Sequence, residues 1–191
     1  MLYLASQSPR RRQLLEQVGI RFDVVDVEVP EMRTPGESPA DYVSRVAREK
    51  AGAGLVQLGA APGAVVLGAD TEVVLGDEVF GKPADTADAA GMLRRLAGRD
   101  HRVITVVWCV SAGREERAVN ESIVAFGPLA DIELAAYLAT GEPMGRAGAY
   151  AIQGRAAAFI RRIEGSYSSV MGLPLYETVN LLRRFAIETA S

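Results

Sequence analysis

Apolar positions along this chain fall into short runs whose spacing switches repeatedly between strand-like and helix-like. Leu2–Ala5 is a brief apolar run that predicts a buried strand leading into Ser6-Gln7-Ser8-Pro9. Ser8 as cap and Pro9 at the first helical position predict a helix that carries Leu14, Leu15 and Val18 and stops at Gly19. Phe22–Val29 reads as a strand. Ser38-Pro39-Ala40-Asp41 is a capping-box-like start for a second helix through about Ala51. Ala64–Ala69 predicts a short strand that runs into Asp70-Thr71 and continues over Glu72–Leu75, with a turn at Gly76-Asp77 before Val79-Phe80. A helix is expected over Asp85–Ala97, ending at Gly98. Two longer β segments follow, His101–Val110 and Arg117–Phe126, joined around Gly113. A helix near Asp131–Ala139 gives way to the glycine-rich Gly141–Gly154. A strand near Ala157–Ile163 and a helix from about Pro174 close the chain.

Interleaved strands and helices with hairpins in the middle predict an α/β fold with a mixed sheet. The 191 residues fit one domain, residues 1–191, or at most two lobes sharing a core. Hydrophobic residues make up 49% of the chain, ample for a packed interior, and the 24% charged fraction excludes a disordered tail protein. A formal net charge of −3 argues against a non-specific nucleic-acid binder. No apolar run reaches the ~20 residues of a membrane helix. The first residues lack the basic start of a signal peptide. A lone cysteine, Cys109, cannot close an internal disulfide, so a reducing, cytoplasmic location is expected.

Cys109 and the single histidine, His101, are too few for a zinc site. Hydrolytic chemistry would therefore rest on carboxylates, lysines, arginines and an oxygen-ligated cation such as Mg²⁺ or Mn²⁺. Three places stand out. Ser8-Pro9-Arg10-Arg11-Arg12 puts cations in a helix's first turn, against the macrodipole. They are either solvated or facing a bound anion, and phosphate suits both arginine and helix amides. Lys50 falls on the apolar stripe of its helix, seven residues after Val43 and four after Val46. It either snorkels from the stripe's edge or points into a cleft. Asp70 ends an apolar strand, where α/β proteins place ligands. It could cap a turn, bind a metal or act as general base toward water. Glu31, in a loop between Pro30 and Met32, is either a second carboxylate of the same kind or a solvated loop residue. Gly76–Pro83 nearly spells a P-loop, but Pro83 replaces the metal-binding hydroxyl and Asp77 and Glu78 would repel phosphates. Lys82 could still contact phosphate from another architecture.

With these residues in view, the chain resembles the Maf family of nucleotide pyrophosphatases over nearly its whole length. The matching segments are Leu4–Arg11, Ala47–Ala51, Gly68–Thr71, Gly81–Pro83, Gly141–Pro143, Ala147–Gly154, and Gly165–Tyr167 with Gly172–Pro174. Each is weak alone; their order and spacing are specific. The resemblance implies a mixed twisted sheet in two lobes with a central cleft, similar to inosine triphosphate pyrophosphatases, and a homodimer. It implies Asp70 as proton acceptor, and Ser8, Arg10, Arg11, Glu31, Lys50 and Lys82 as polar active-site residues. Asp70 and Glu31 would share a divalent metal. Arg10, Thr71 and Gln153 match positions tied to base selectivity in the branch acting on dTTP and UTP, which Ala149–Gly154 also resembles. Arg146 departs from a usual lysine, keeping charge but not geometry, and Ser122 departs from a common threonine.

The implied activity is hydrolysis of a nucleoside triphosphate to monophosphate and pyrophosphate, serving to cleanse the nucleotide pool. Two rivals remain open at this point. One is a nucleotide-binding regulator of septum formation, which would need the cleft but not Asp70 as a base. The other is a pyrophosphatase directed at purines.

Overall fold

The computed structural model describes residues 1–59 and 61–188. In chain order it contains β1 (Leu2–Ala5), α1 (Pro9–Gln17), β2 (Asp23–Val24), α2 (Pro39–Gln57), β3 (Val65–Leu75), β4 (Glu78–Phe80), α3 (Thr86–Leu96), β5 (Asp100–Ser111), β6 (Arg114–Phe126), α4 (Asp131–Leu138), β7 (Ile160–Glu164), α5 (Tyr167–Met171) and α6 (Leu175–Arg183). The strands form one mixed sheet in the order β2-β1-β3-β5-β6-β7, with β4 paired to β3. β1 runs parallel to β2 and to β3, with Ala5 opposite Gly68; β3–β4 and β6–β7 are antiparallel.

Two compact units divide the chain. The first holds Met1–Asp70, Thr105–Asn120 and the residues from Gly172 onward; the second holds Thr71–Ile104 and Glu121–Met171. One cluster in the first unit buries Ala5, Val25, Ala51, Val66 and Val110, with Leu55 and Trp108 packed against it. The second unit buries Val73, Phe80, Leu93, Leu96, Val103, Phe126, Leu134, Tyr137 and Tyr150. Its aromatic rings meet edge to face, with Phe126 and Tyr150 centroids 4.9 Å apart.

Local chemistry explains most boundaries. The Ser38 hydroxyl accepts from the Asp41 amide at 3.1 Å, capping α2 where expected, and Asp85 accepts from the Asp88 amide at 2.8 Å, so Asp85 caps α3 and is not its first residue. α2 runs on to Gln57, past the expected end near Ala51, and Gly54 in that extension is a packing residue. A Cβ on Gly54 would lie 2.9 Å from side-chain carbons of both Val25 and Val66. The expected strand over Phe22–Val29 shrinks to Asp23–Val24, an edge strand with only Tyr3 and Leu4 opposite. The last strand begins at Ile160, since Arg155–Phe159 winds into a 3₁₀ turn. α5 was not foreseen; it is a single short turn. Among the described residues, no helix is long and apolar enough to cross a membrane.

Candidate active site

Asp70 is buried at 5% exposure, at the end of a stretch of β3, Val65 to Asp70, in which every residue is buried. A carboxylate there needs a partner, because burying an unpaired charge is costly. Lys50 supplies it: its Nζ lies 2.8 Å from Asp70 Oδ1. The same ammonium lies 2.6 Å from Glu31 Oε1. Lys50 therefore does not snorkel; it continues the stripe of Val43 and Val46, both fully buried, and ends between two carboxylates.

A close backbone approach sets this up. A Cβ on Gly68 would lie 2.3 Å from the Ala47 carbonyl oxygen and 2.6 Å from the Ala51 nitrogen. Only glycine lets β3 lie this near α2, and Asp70 is on the same strand face two residues on. One lone pair set remains: Asp70 Oδ2 is buried and has no hydrogen-bond partner among the described residues. Buried polar atoms are rarely left this way, so a reacting or coordinating group is the natural complement.

Glu31 reaches Lys50 because its loop is tied to α2. Arg45 donates to the Met32 carbonyl at 2.9 Å and pairs with Glu37 at 2.7 Å. The Thr34 amide and hydroxyl both donate to Glu37 Oε2. The Arg45 guanidinium, followed by the Thr34 amide, holds the Glu37 carboxyl down at about 2. Neither Arg45 nor Glu37 was singled out in the sequence, since an i, i+8 pair has no local signature.

Asp70 lies in the middle of β3 and not at the strand end expected for it; β1 runs parallel to β3 with Ala5, its last residue, opposite Gly68, so the turn from β1 into α1 follows at the level of Asp70. Ser8 occupies the N-cap, but its side chain caps nothing, and no acid sits in the first turn. That leaves the end favourable for an anion. Arg10 is half-buried. Arg11 is buried, its Nε donating to the Gly172 carbonyl at 2.8 Å and its Nη1 to the Ser6 hydroxyl at 3.3 Å. Ser6 also accepts from the Ser8 amide at 3.2 Å, a structuring role the sequence reading missed.

Thr71, Lys82 and Gln153 belong to the second unit. Thr71 is half-buried, directly after Asp70 in the chain. Lys82 is exposed, following Gly81, whose carbonyl accepts from the Gly148 amide at 3.1 Å. Gln153 is exposed, between buried Ile152 and the tightly packed Gly154. Ser122 accepts from the Ser166 amide at 2.9 Å, so the serine in place of threonine keeps the needed hydroxyl.

His101 and Cys109 take no part in these groupings. His101 Nε2 lies 2.8 Å from the Tyr150 hydroxyl, and burial pushes the imidazole down to about 4. Burial pushes the Cys109 thiol up. Among the described residues, no group of three or more His, Cys, Asp or Glu could hold a metal alone. Asp70 and Glu31 are hard oxygen donors of the type Mg²⁺ accepts when substrate oxygens and waters complete its shell, so they fit a shared cation.

A lysine–carboxylate cluster around the buried Asp70, with a helix start free of acidic residues following the neighbouring parallel strand, defines a phosphate-handling α/β protein. The chain belongs to the Maf-like protein family, which it matches over residues 1–185. It is 59% identical to the dTTP/UTP pyrophosphatase of Xanthomonas axonopodis pv. citri, over 97% of this chain and 98% of that protein. The dTTP/UTP pyrophosphatase of Xanthomonas euvesicatoria pv. vesicatoria is 58% identical over the same shares. A nucleoside triphosphate pyrophosphatase of Xylella fastidiosa is 55% identical, again over 97% and 98%. The solved Staphylococcus aureus Ham1 protein aligns over 97% of both chains at 14% identity with a TM-score of 0.47, a likeness too distant to build on.

Proposed function

We propose that this chain hydrolyses dTTP and UTP to the nucleoside monophosphate and pyrophosphate, with Asp70 as the base that activates water. The observation carrying this reading is the Asp70 carboxylate itself: Oδ1 is fixed by Lys50 while the buried Oδ2 has no hydrogen-bond partner among the described residues. Membership of the Maf-like family and the relatives' names support the substrate class.

A nucleoside triphosphate brings about four negative charges, which must be offset before water approaches the α-phosphorus. Arg10 and the Ser8 hydroxyl, at the start of α1, take phosphate oxygens. Arg11, committed to Gly172 and Ser6, fixes the turn before α1 and adds its charge from a buried position. Lys50 holds Asp70 and Glu31 in register, and Lys82 offsets charge on the leaving pyrophosphate. Asp70 Oδ2 takes the proton from the attacking water. A divalent cation bound by Asp70 and Glu31 would supply further charge neutralisation at the phosphates. Gln153 offers an amide donor and a carbonyl acceptor to the base edge, with Thr71 and Arg10 setting the nucleotide's register. The reading includes a cytoplasmic homodimer, which light scattering on the purified protein tests.

The test of the activity is a nucleotide panel assayed for pyrophosphate release with added Mg²⁺ or Mn²⁺. dTTP and UTP should exceed dCTP and 7-methyl-GTP by at least ~10-fold in kcat/KM. Equal rates, or a preference for 7-methyl-GTP, would overturn the base assignment; no pyrophosphate from any of them would overturn the reaction.

A further inference from the structure

Gln153 sits on an arch whose two ends are fixed by unlike devices. At one end, Gly148 has φ +66° and lies so close to Val73 that a Cβ would come within 2.8 Å of it. Its amide donates to Gly81. Tyr150 and Ile152, within the arch, are buried. At the other end the anchor is a single carboxylate, Glu142, from the segment after α4. Its Oε2 accepts from the Arg155 amide at 2.9 Å, and its Oε1 from the Ala156 amide at 3.4 Å and the Tyr137 hydroxyl at 3.0 Å. A Cβ on Gly154 would fall 2.2 Å from that Oε1, so the carboxylate presses against the residue that follows Gln153. Burial and the neighbouring Glu142 push the Tyr137 phenol up, which keeps it a donor.

We infer that Glu142 is a positioning residue for substrate selection: by fixing the backbone at Gly154–Ala156 it sets the direction of the Gln153 amide. This rests on the reading of Gln153 as the base-selecting residue. The physical case is that a side-chain amide discriminates only if its donor and acceptor are held in place, because thymine and cytosine present opposite edges and a mobile amide satisfies both. The described contacts of Glu142 go to Tyr137, Thr140, Arg155 and Ala156, none of them given a part in bond cleavage, so its loss should act on the choice of base.

The experiment compares Glu142→Ala, Glu142→Gln and Gln153→Ala in kcat and KM for dTTP and dCTP, with thermal melting of each. Glu142→Ala should cut the dTTP:dCTP ratio of kcat/KM by ~10-fold or more, chiefly through KM, with kcat on dTTP falling less than ~3-fold. Glu142→Gln keeps one carbonyl acceptor and should recover part of the ratio. Should Glu142→Ala fail to fold, a Glu142→Gln variant with an unchanged ratio overturns the inference on its own. A folded Glu142→Ala with the parent ratio overturns it while Gln153→Ala still lowers the ratio. If Gln153→Ala also leaves the ratio intact, the base-selecting role of Gln153 fails and this inference with it.

Discussion

Gly68 and Ala47 meet backbone to backbone, with room for a hydrogen but not a methyl: a Cβ on Gly68 would sit 2.3 Å from the Ala47 carbonyl oxygen. This approach brings Lys50, three residues along α2, to Asp70, two residues along β3. Gly68→Ala should therefore destabilise the fold by about 2–3 kcal/mol in denaturant unfolding, as overpacking against backbone does. It should also lower kcat by ~10-fold or more at temperatures where the protein remains folded. A variant that loses stability yet keeps its kcat would separate the helix–strand contact from the site.

Asp70→Asn tests the base. The amide keeps the shape and an acceptor for Lys50 but takes no proton from water. We expect kcat to fall at least ~10²-fold while dTTP binding, measured by calorimetry, survives. Near-normal turnover would move the base elsewhere, with Glu31, on the same ammonium, the next candidate.

How these residues converge was only partly legible in the sequence. Lys50 and Asp70 each stood out, one by helical period and one by its place at the end of an apolar run, and these are local signals. Glu31 was grouped with them only by the family resemblance and by no local pattern, because its loop is fixed by Arg45 and Glu37 across a gap no periodicity spans. The Ser38 cap placed the start of α2 well, and α3 begins one residue after its expected start. α2 outran its expected end near Ala51, and Gly54 in that extension packs against Val25 and Val66. Burial of Arg11 among Gly172 and Ser6 was equally hidden, since three consecutive arginines look alike until the chain folds.

His101 should make the protein acid-sensitive in a definite window. Its folded value of about 4 lies below the ordinary 6.5, so the unfolded chain binds the extra proton first as pH falls. Stability is lost from about pH 6.5 down to about 4, by roughly 3 kcal/mol in total, and no further below that. His101→Gln removes this dependence. The stability difference between parent and variant should therefore shift against the parent by ~2–3 kcal/mol between pH 7.5 and 4.5. A difference constant with pH would show that the imidazole titrates normally in the fold.

Cys109 is fully buried and its thiol is pushed up by desolvation, so thiol reagents should label it only after unfolding. Cys109→Ser should keep most activity in folded protein. Inhibition by a thiol reagent that disappears in Cys109→Ser, or a requirement for zinc, would contradict the carboxylate-based chemistry.

The central claim is the bond that is cut, and hydrolysis of dTTP in ¹⁸O-labelled water, followed by phosphorus NMR, tests it most directly. Attack by an Asp70-activated water at the α-phosphorus predicts dTMP and pyrophosphate, with the label in dTMP. Label in pyrophosphate, or release of dTDP and orthophosphate, would contradict it.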